Sequence, residues 1–158
     1  MKKHSIVDIL IFVTSAELVG VLSALLTGSF SDFFEKYVEP PLLPPGWLFP
    51  VVWVILYAVM GFSAYLIYAS DGERDKKKTA LTIYGAQLLL NFSWSIVFFR
   101  FEALWAAFVV ILLLWIAIIA MILSFRKIKP LAGYINIPYL IWVTFAAYLN
   151  LATAIINK

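Results

Sequence analysis

"EPPLLPPGWLFPVVWVILY", Glu39 to Tyr57, joins two kinds of chain near Gly46. Five of the seven prolines fall in its first part and entry, from Pro40 to Pro50. Proline fixes φ and removes a backbone donor, so this part reads as a stiff connecting loop. From Trp47 the chain runs to Ser70 without one charged side chain. A helix that crosses a bilayer needs about 20 predominantly apolar residues. The stretch therefore reads as a rigid loop opening a membrane helix.

The rest of the chain follows the same pattern. Of its 158 residues, 64% are hydrophobic and 13% charged, with a mean hydropathy of +0.97. A water-soluble domain would be about 45–50% apolar and about 25% charged. Five apolar runs span Ile6–Gly28, Trp47–Ser70, Ala80–Phe99, Ala103–Phe125 and Leu131–Ile156. They are separated by Ser31–Gly46, Asp71–Lys78, the turn Arg100-Phe101-Glu102, and Arg126–Pro130. The expected fold is an all-α membrane protein, a single domain over residues 1–158 built as a five-helix bundle. The opening "MKKHSIVDILIFV" also resembles a secretory signal peptide, but Asp8 and Glu17 interrupt its apolar part and "LSA" (Leu22–Ala24) is a poor cleavage site. A retained first helix is expected.

Basic residues set the expected orientation. Lys2, Lys3, Arg74, Lys76, Lys77, Lys78, Arg126, Lys127 and Lys129 fall on one side of the bundle, against Lys36, Arg100 and Lys158 on the other. Such asymmetry places the N-terminus in the cytoplasm and the C-terminus on the opposite side of the cell membrane. The net charge of +3 then follows from topology, with "RDKKK" as a lipid-headgroup anchor and no nucleic-acid partner.

Residues three, four and seven apart share a helix face. Phe49, Trp53 and Tyr57 align in the second run; Tyr84, Gln87, Asn91, Trp94 and Phe98 in the third; Pro138, Trp142, Ala146 and Leu149 in the fifth, with Asn150 at the margin. An unsatisfied amide in hydrocarbon costs several kcal/mol, so Gln87 and Asn91 should point into the bundle. There they either bond between helices or line a ligand cavity beside Trp53, Trp94 and Trp142. Trp47 suits an interfacial aromatic belt; Trp105 and Trp115 have no polar neighbour on their helix and read as packing or lipid contact. Glu17 is the one carboxylate deep in a run, a functional candidate by position. Pro138 should kink the fifth helix or free a carbonyl. Gly20 and Ala24 form a small-xxx-small pair suited to close helix approach.

With these residues placed, the chain resembles the tryptophan-rich sensory protein / translocator protein family, also called the peripheral benzodiazepine receptor family. "PPGWLFPVVWVILYAVMG" is similar to its second-helix entry, "QLLLNFSWSIVFF" to its third-helix signature, "ILLLWIAI" to its fourth and "PYLIWVTFAAYLN" to its fifth. The resemblance implies a five-helix bundle, commonly a homodimer in bacteria, that binds porphyrins and synthetic aromatic ligands under the first loop. It places pocket tryptophans at Trp53 and Trp142, the amide at Asn91, its aromatic neighbour at Trp94 and a small ligand-facing residue at Ala146. The proline pair falls on Pro44 and Pro45. Leu43 stands where the family usually has tryptophan, Phe33-Phe34 where it has tryptophan-tyrosine, Glu39 where it has a basic residue, and Val110 where an acid is common. The lid is thus less tryptophan-rich and more acidic than the family pattern. The fifth-helix cholesterol motif of animal members is absent: after Tyr148 the next basic residue is Lys158.

The implied function is a porphyrin-binding membrane receptor or sensor that passes its ligand on. The alternatives are a membrane enzyme for light-dependent porphyrin breakdown, with Trp53 and Trp142 as electron donors, and a small-solute transporter. The residues offer no catalytic set: the one histidine, His4, lies in the N-terminal tail, and there is no cysteine. No metal and no resident cofactor are expected, with porphyrin as the ligand. Phe49, Trp53, Tyr57, Gln87, Asn91, Trp94, Phe98, Trp142, Ala146 and Leu149 are the expected ligand-binding residues, under a semi-rigid lid of Leu43, Pro44 and Pro45.

Overall fold

The computed structural model describes residues 6–158, with Ser31 by its backbone alone. Lys2, Lys3 and His4 lie outside the described residues. Seven α-helices follow in order: α1 Ile6–Thr27, α2 Phe30–Phe34, α3 Leu48–Tyr68, α4 Arg74–Ser95, α5 Leu104–Ile128, α6 Pro130–Tyr134 and α7 Ile137–Ile156. A π-helical turn, Ile96–Arg100, prolongs α4. Five stretches are long and apolar enough to cross a membrane: Ile6–Phe34, Leu48–Tyr68, Arg74–Arg100, Leu104–Ile128 and Pro130–Ile156. The described residues contain no strand.

Helix α5 is the central packing element. Leu104, Ala107, Ile111, Leu114, Ile118, Met121 and Phe125 are all buried, at alternating spacings of three and four. That spacing gives one continuous seam, which is covered by α4 on one side and by α6 and α7 on the other. By contrast, α1 buries only Ala16 and Ser23. It lies at the edge of the bundle against α3. The two backbones touch at Gly61, where an added Cβ would sit 2.6 Å from Phe12 O and Val13 Cα.

Boundaries depart from the sequence reading in three places. The segment Ser31–Gly46 is not loop throughout, because Phe30–Phe34 form a helical turn whose rings pack inward. Helix α4 begins at Arg74, six residues before the expected Ala80. There Lys76 pairs with Glu73 at 2.7 Å, and the Lys77 ammonium caps α3 by donating to Tyr68 O and Ser70 O, both at 2.7 Å. The charged residues that suggested a loop build the helix start. The fifth run is two helices, broken at Ile135 and Asn136. Pro138 does not kink it. It sits in the first turn of α7, where a missing N–H costs no intrahelical bond. Pro50 has the same place in α3.

Candidate functional site

A cavity of about 400 Å³ lies between α1, the first turns of α3, and the end of α4. Its α1 wall is Glu17, Gly20, Val21, Ser23, Ala24 and Thr27, residues that recur three or four apart along one side of the helix. Opposite stand Phe49, Trp53 and Tyr57 of α3, with Trp94 of α4. Small side chains on one helix facing large rings on the next leave the space unfilled. At Gly20 an added Cβ would come within 2.6 Å of the Tyr57 ring. Phe30 and Gly46 close the end nearest the first loop. Among the described residues no Lys, Arg or His lines the cavity, and Glu17 is its one carboxylate.

The π turn shapes the third wall. Phe101 N donates to Ile96 O at 3.0 Å, five residues back, and the wider turn brings two successive rings inward. Phe98 is buried and stacks on Trp94 at 5.6 Å, while Phe99 meets Trp94 edge-on at 6.0 Å and lines the cavity. Trp94 in turn lies 6.4 Å from Trp53. Its indole N–H donates to Asn150 Oδ1 at 3.1 Å, and Asn150 Nδ2 donates to Leu104 O at 2.8 Å. One face of Trp94 is thus available to the cavity while its polar edge is fixed to α7.

The ten expected ligand-binding residues fall into three groups. Phe49, Trp53, Tyr57 and Trp94 form cavity wall. Phe98, Ala146 and Leu149 lie behind it, around a void of about 10 Å³ that shares Phe30, Phe49, Trp94 and Phe99 with the main cavity. Gln87, Asn91 and Trp142 line neither space. Asn91 and Gln87 belong to a buried chain of hydrogen bonds. Tyr57 OH donates to Asn91 Oδ1 at 3.3 Å, Asn91 Nδ2 donates to Tyr139 OH at 2.8 Å, and Tyr139 OH donates to Gln87 Oε1 at 2.7 Å. Gln87 Nε2 then reaches Met60 Sδ at 3.6 Å. Trp142 packs edge-on against Phe49 at 5.3 Å without lining the cavity, and its buried indole N–H has no hydrogen-bond partner. Pro44, Pro45 and Leu43 do not touch the cavity; Gly46 and Pro50 do.

Glu17 was singled out from sequence by its position; the rest of the α1 wall was missed, as were Gly28, Ser29, Phe30, Gly46, Val54, Ser95 and Phe99. The spacing Glu17, Gly20, Ser23, Thr27 carried a signal, a small and polar stripe on an otherwise apolar helix. Trp115, expected as packing or lipid contact, packs against the core and also makes a polar contact that the sequence did not signal. Its indole donates to Thr144 Oγ1 at 2.9 Å, a partner on α7. Among the described residues no three of His, Cys, Asp and Glu are grouped to hold a metal.

The loop above the cavity is fastened at three points. Glu102, itself in the left-handed region at φ 54, accepts from Lys36 Nζ at 2.8 Å and from Tyr37 OH at 2.9 Å. The Asn157 amide bonds both backbone groups of Val38, at 2.8 and 3.1 Å. Tyr148 OH donates to Pro41 O at 3.0 Å. The Lys36 ammonium, then the Tyr37 hydroxyl, hold the Glu102 carboxyl below its ordinary value of 4.5. A lowered carboxyl stabilises the fastened loop above its ordinary pKa and loses that contribution as pH falls through the lowered one. The first expected outcome follows. Relative to the intrinsic rate at each pH, protection of the amides of residues 36–39 should fall on acidification below the ordinary carboxyl range, and Glu102→Gln should show the lower protection already at pH 7. A variant that keeps the acid-dependent step would show that another group supplies it.

A profile of the TspO/MBR family matches residues 12–156. The chain is 35% identical to the tryptophan-rich protein TspO of Chlorobaculum tepidum, covering 80% of each chain. It is 30% identical to Protein CrtK of Rhodobacter capsulatus, over 93% of this chain and 91% of that one. Identity to the translocator protein of Ovis aries is 37%, over 79% and 75%. Five apolar helices, the tryptophan-lined cavity under a proline-rich loop and these matches agree: the chain belongs to the TspO/MBR family of multi-pass membrane proteins.

Proposed function

We propose that the protein is a membrane receptor for a flat aromatic molecule of the tetrapyrrole class, held between α1 and the α3–α4 aromatics. One observation carries this reading: a cavity of about 400 Å³ walled by Phe49, Trp53, Tyr57, Trp94 and Phe99. Small-molecule sites occupy about 300–1,000 Å³ and bind by apolar contact with a few placed polar groups. A flat ring system matches such walls, since each offers a π-face or an edge. Relatives are named sensory and translocator proteins, and a receptor that takes ligand from the membrane suits both names. In this reading the N-terminus faces the cytoplasm, the loop with its prolines faces outward, and the ligand is the bound molecule without a metal or second cofactor.

Titration of protoporphyrin into protein in lipid nanodiscs, followed by the shift of the porphyrin Soret band, tests it. Trp53→Ala removes a cavity wall and should weaken binding by about tenfold to a hundredfold, from roughly 1.5–3 kcal/mol of lost burial. Trp142→Ala should cost less than about fivefold, because Trp142 lines neither the cavity nor the small void behind it. No binding by the unaltered protein overturns the proposal. A larger loss at Trp142 than at Trp53 overturns the assignment of the cavity.

A further inference from the structure

Among the described residues Glu17 has one partner in the fold, the backbone N–H of Ala58 on α3, and no charged one. It is the twelfth of the 22 residues of α1, at mid-helix, and it lines the cavity. Ten residues separate it from Thr27 near the first loop, so the cavity follows α1 for about 15 Å at 1.5 Å per residue. A carboxylate in a hydrocarbon setting is costly unless a partner offsets it. Among the described residues the cavity has no cationic side chain, and neither ion pair includes Glu17. The hydroxyls nearby do not answer it either. Thr27 Oγ1 donates to Ser23 O at 2.8 Å, and Ser95 Oγ donates to Asn91 O at 3.3 Å. Around the same end stand the rings of Trp53 and Tyr57, whose faces attract a cation.

We infer that Glu17 is a specificity residue: the cavity favours an aromatic ligand that carries a protonated amine at its leading end. This rests on the reading of the cavity as an aromatic-ligand site and narrows its class. The ammonium forms a charge-assisted hydrogen bond with the Glu17 carboxylate, and the aromatic body lies along Trp53 and Trp94. A carboxylate at the same end meets like charge without a nearby cation. A carboxylated macrocycle is therefore accommodated only with its acid groups at the mouth, toward Thr27 and Gly46.

Three probes with one aromatic body separate these effects: 1-pyrenemethylamine, 1-pyrenemethanol and 1-pyrenecarboxylic acid. Energy transfer from tryptophan to pyrene is measured in phosphatidylcholine nanodiscs, with empty nanodiscs subtracted. The amine should bind at least about tenfold more tightly than the alcohol, as expected for a hydrogen bond to a charged group, and the acid should bind most weakly. Glu17→Gln should bring amine and alcohol within about twofold of each other, and Glu17→Asp should restore most of the preference. Equal binding of amine and alcohol by the unaltered protein overturns the inference without any variant. So does a preference that survives in Glu17→Gln. Failure of all three probes to exceed empty nanodiscs overturns the cavity reading itself, a different outcome from loss of selectivity.

Discussion

Replacing Gly61 with valine is expected to detach α1 from α3 and abolish the cavity. An added Cβ at Gly61 meets backbone, Phe12 O and Val13 Cα at 2.6 Å and Phe12 C at 3.0 Å. Backbone cannot rotate aside as a flexible side chain can, so α1 must back away. Overpacking of this kind costs about 1–3 kcal/mol, occasionally more. Helix α1 has little to resist it, because only Ala16 and Ser23 are buried. The same helix supplies one whole wall of the cavity, so ligand affinity should fall further than stability alone requires. Gly85→Ala is the control. Nothing lies within 4 Å of that position, and removing a helical glycine should stabilise by about 0.5–1 kcal/mol. Thermal unfolding in detergent together with protoporphyrin titration reads both. Equal effects at Gly61 and Gly85 would mean that α1 does not rest on α3 at this point.

Tyr139→Phe is expected to destabilise the bundle by about 1–3 kcal/mol while leaving its packing volume almost unchanged. The hydroxyl accepts from Asn91 Nδ2 at 2.8 Å and donates to Gln87 Oε1 at 2.7 Å. Its loss leaves one donor and one acceptor unpaired in a fully buried position, since Gln87, Asn91 and Tyr139 are each at most 1% exposed. Hydrogen bonds between membrane helices average only about 0.6 kcal/mol. The larger figure here comes from stranding two amide groups at once. Tyr57→Phe removes one longer bond, 3.3 Å to Asn91 Oδ1, and should cost distinctly less. A double-mutant cycle between Tyr139→Phe and Gln87→Leu should show a coupling that independent sites lack. Additive losses would contradict the network.

Much of the bundle was legible because its signals are local. The charge-free run from Trp47 to Ser70 lies along one helix. So do the aromatic face Phe49, Trp53, Tyr57 and the inward direction of Gln87 and Asn91. What escaped lies between helices. The wall from α1 consists largely of missing side chain, at Gly20, Ser23 and Ala24, and a gap gives no pattern until the opposite rings are placed. Thr144 as the partner of Trp115 is a contact across α5 and α7. Trp142 shares a face with Ala146, as the spacing said, yet spacing cannot show that the cavity lies elsewhere, between α1, α3 and α4. The charged stretch before Ala80 was read as loop from its polarity, although Lys77 uses its ammonium to cap α3.

The central claim is that ligand sits against the α1 wall. The chain has no cysteine, so a single Ser23→Cys reports from that wall alone. Maleimide labelling of Ser23→Cys should slow at least about fivefold when protoporphyrin is bound, while Thr82→Cys, exposed on α4, should label at one rate throughout. Unchanged labelling at position 23 under a saturated Soret shift would place the ligand elsewhere and contradict the account.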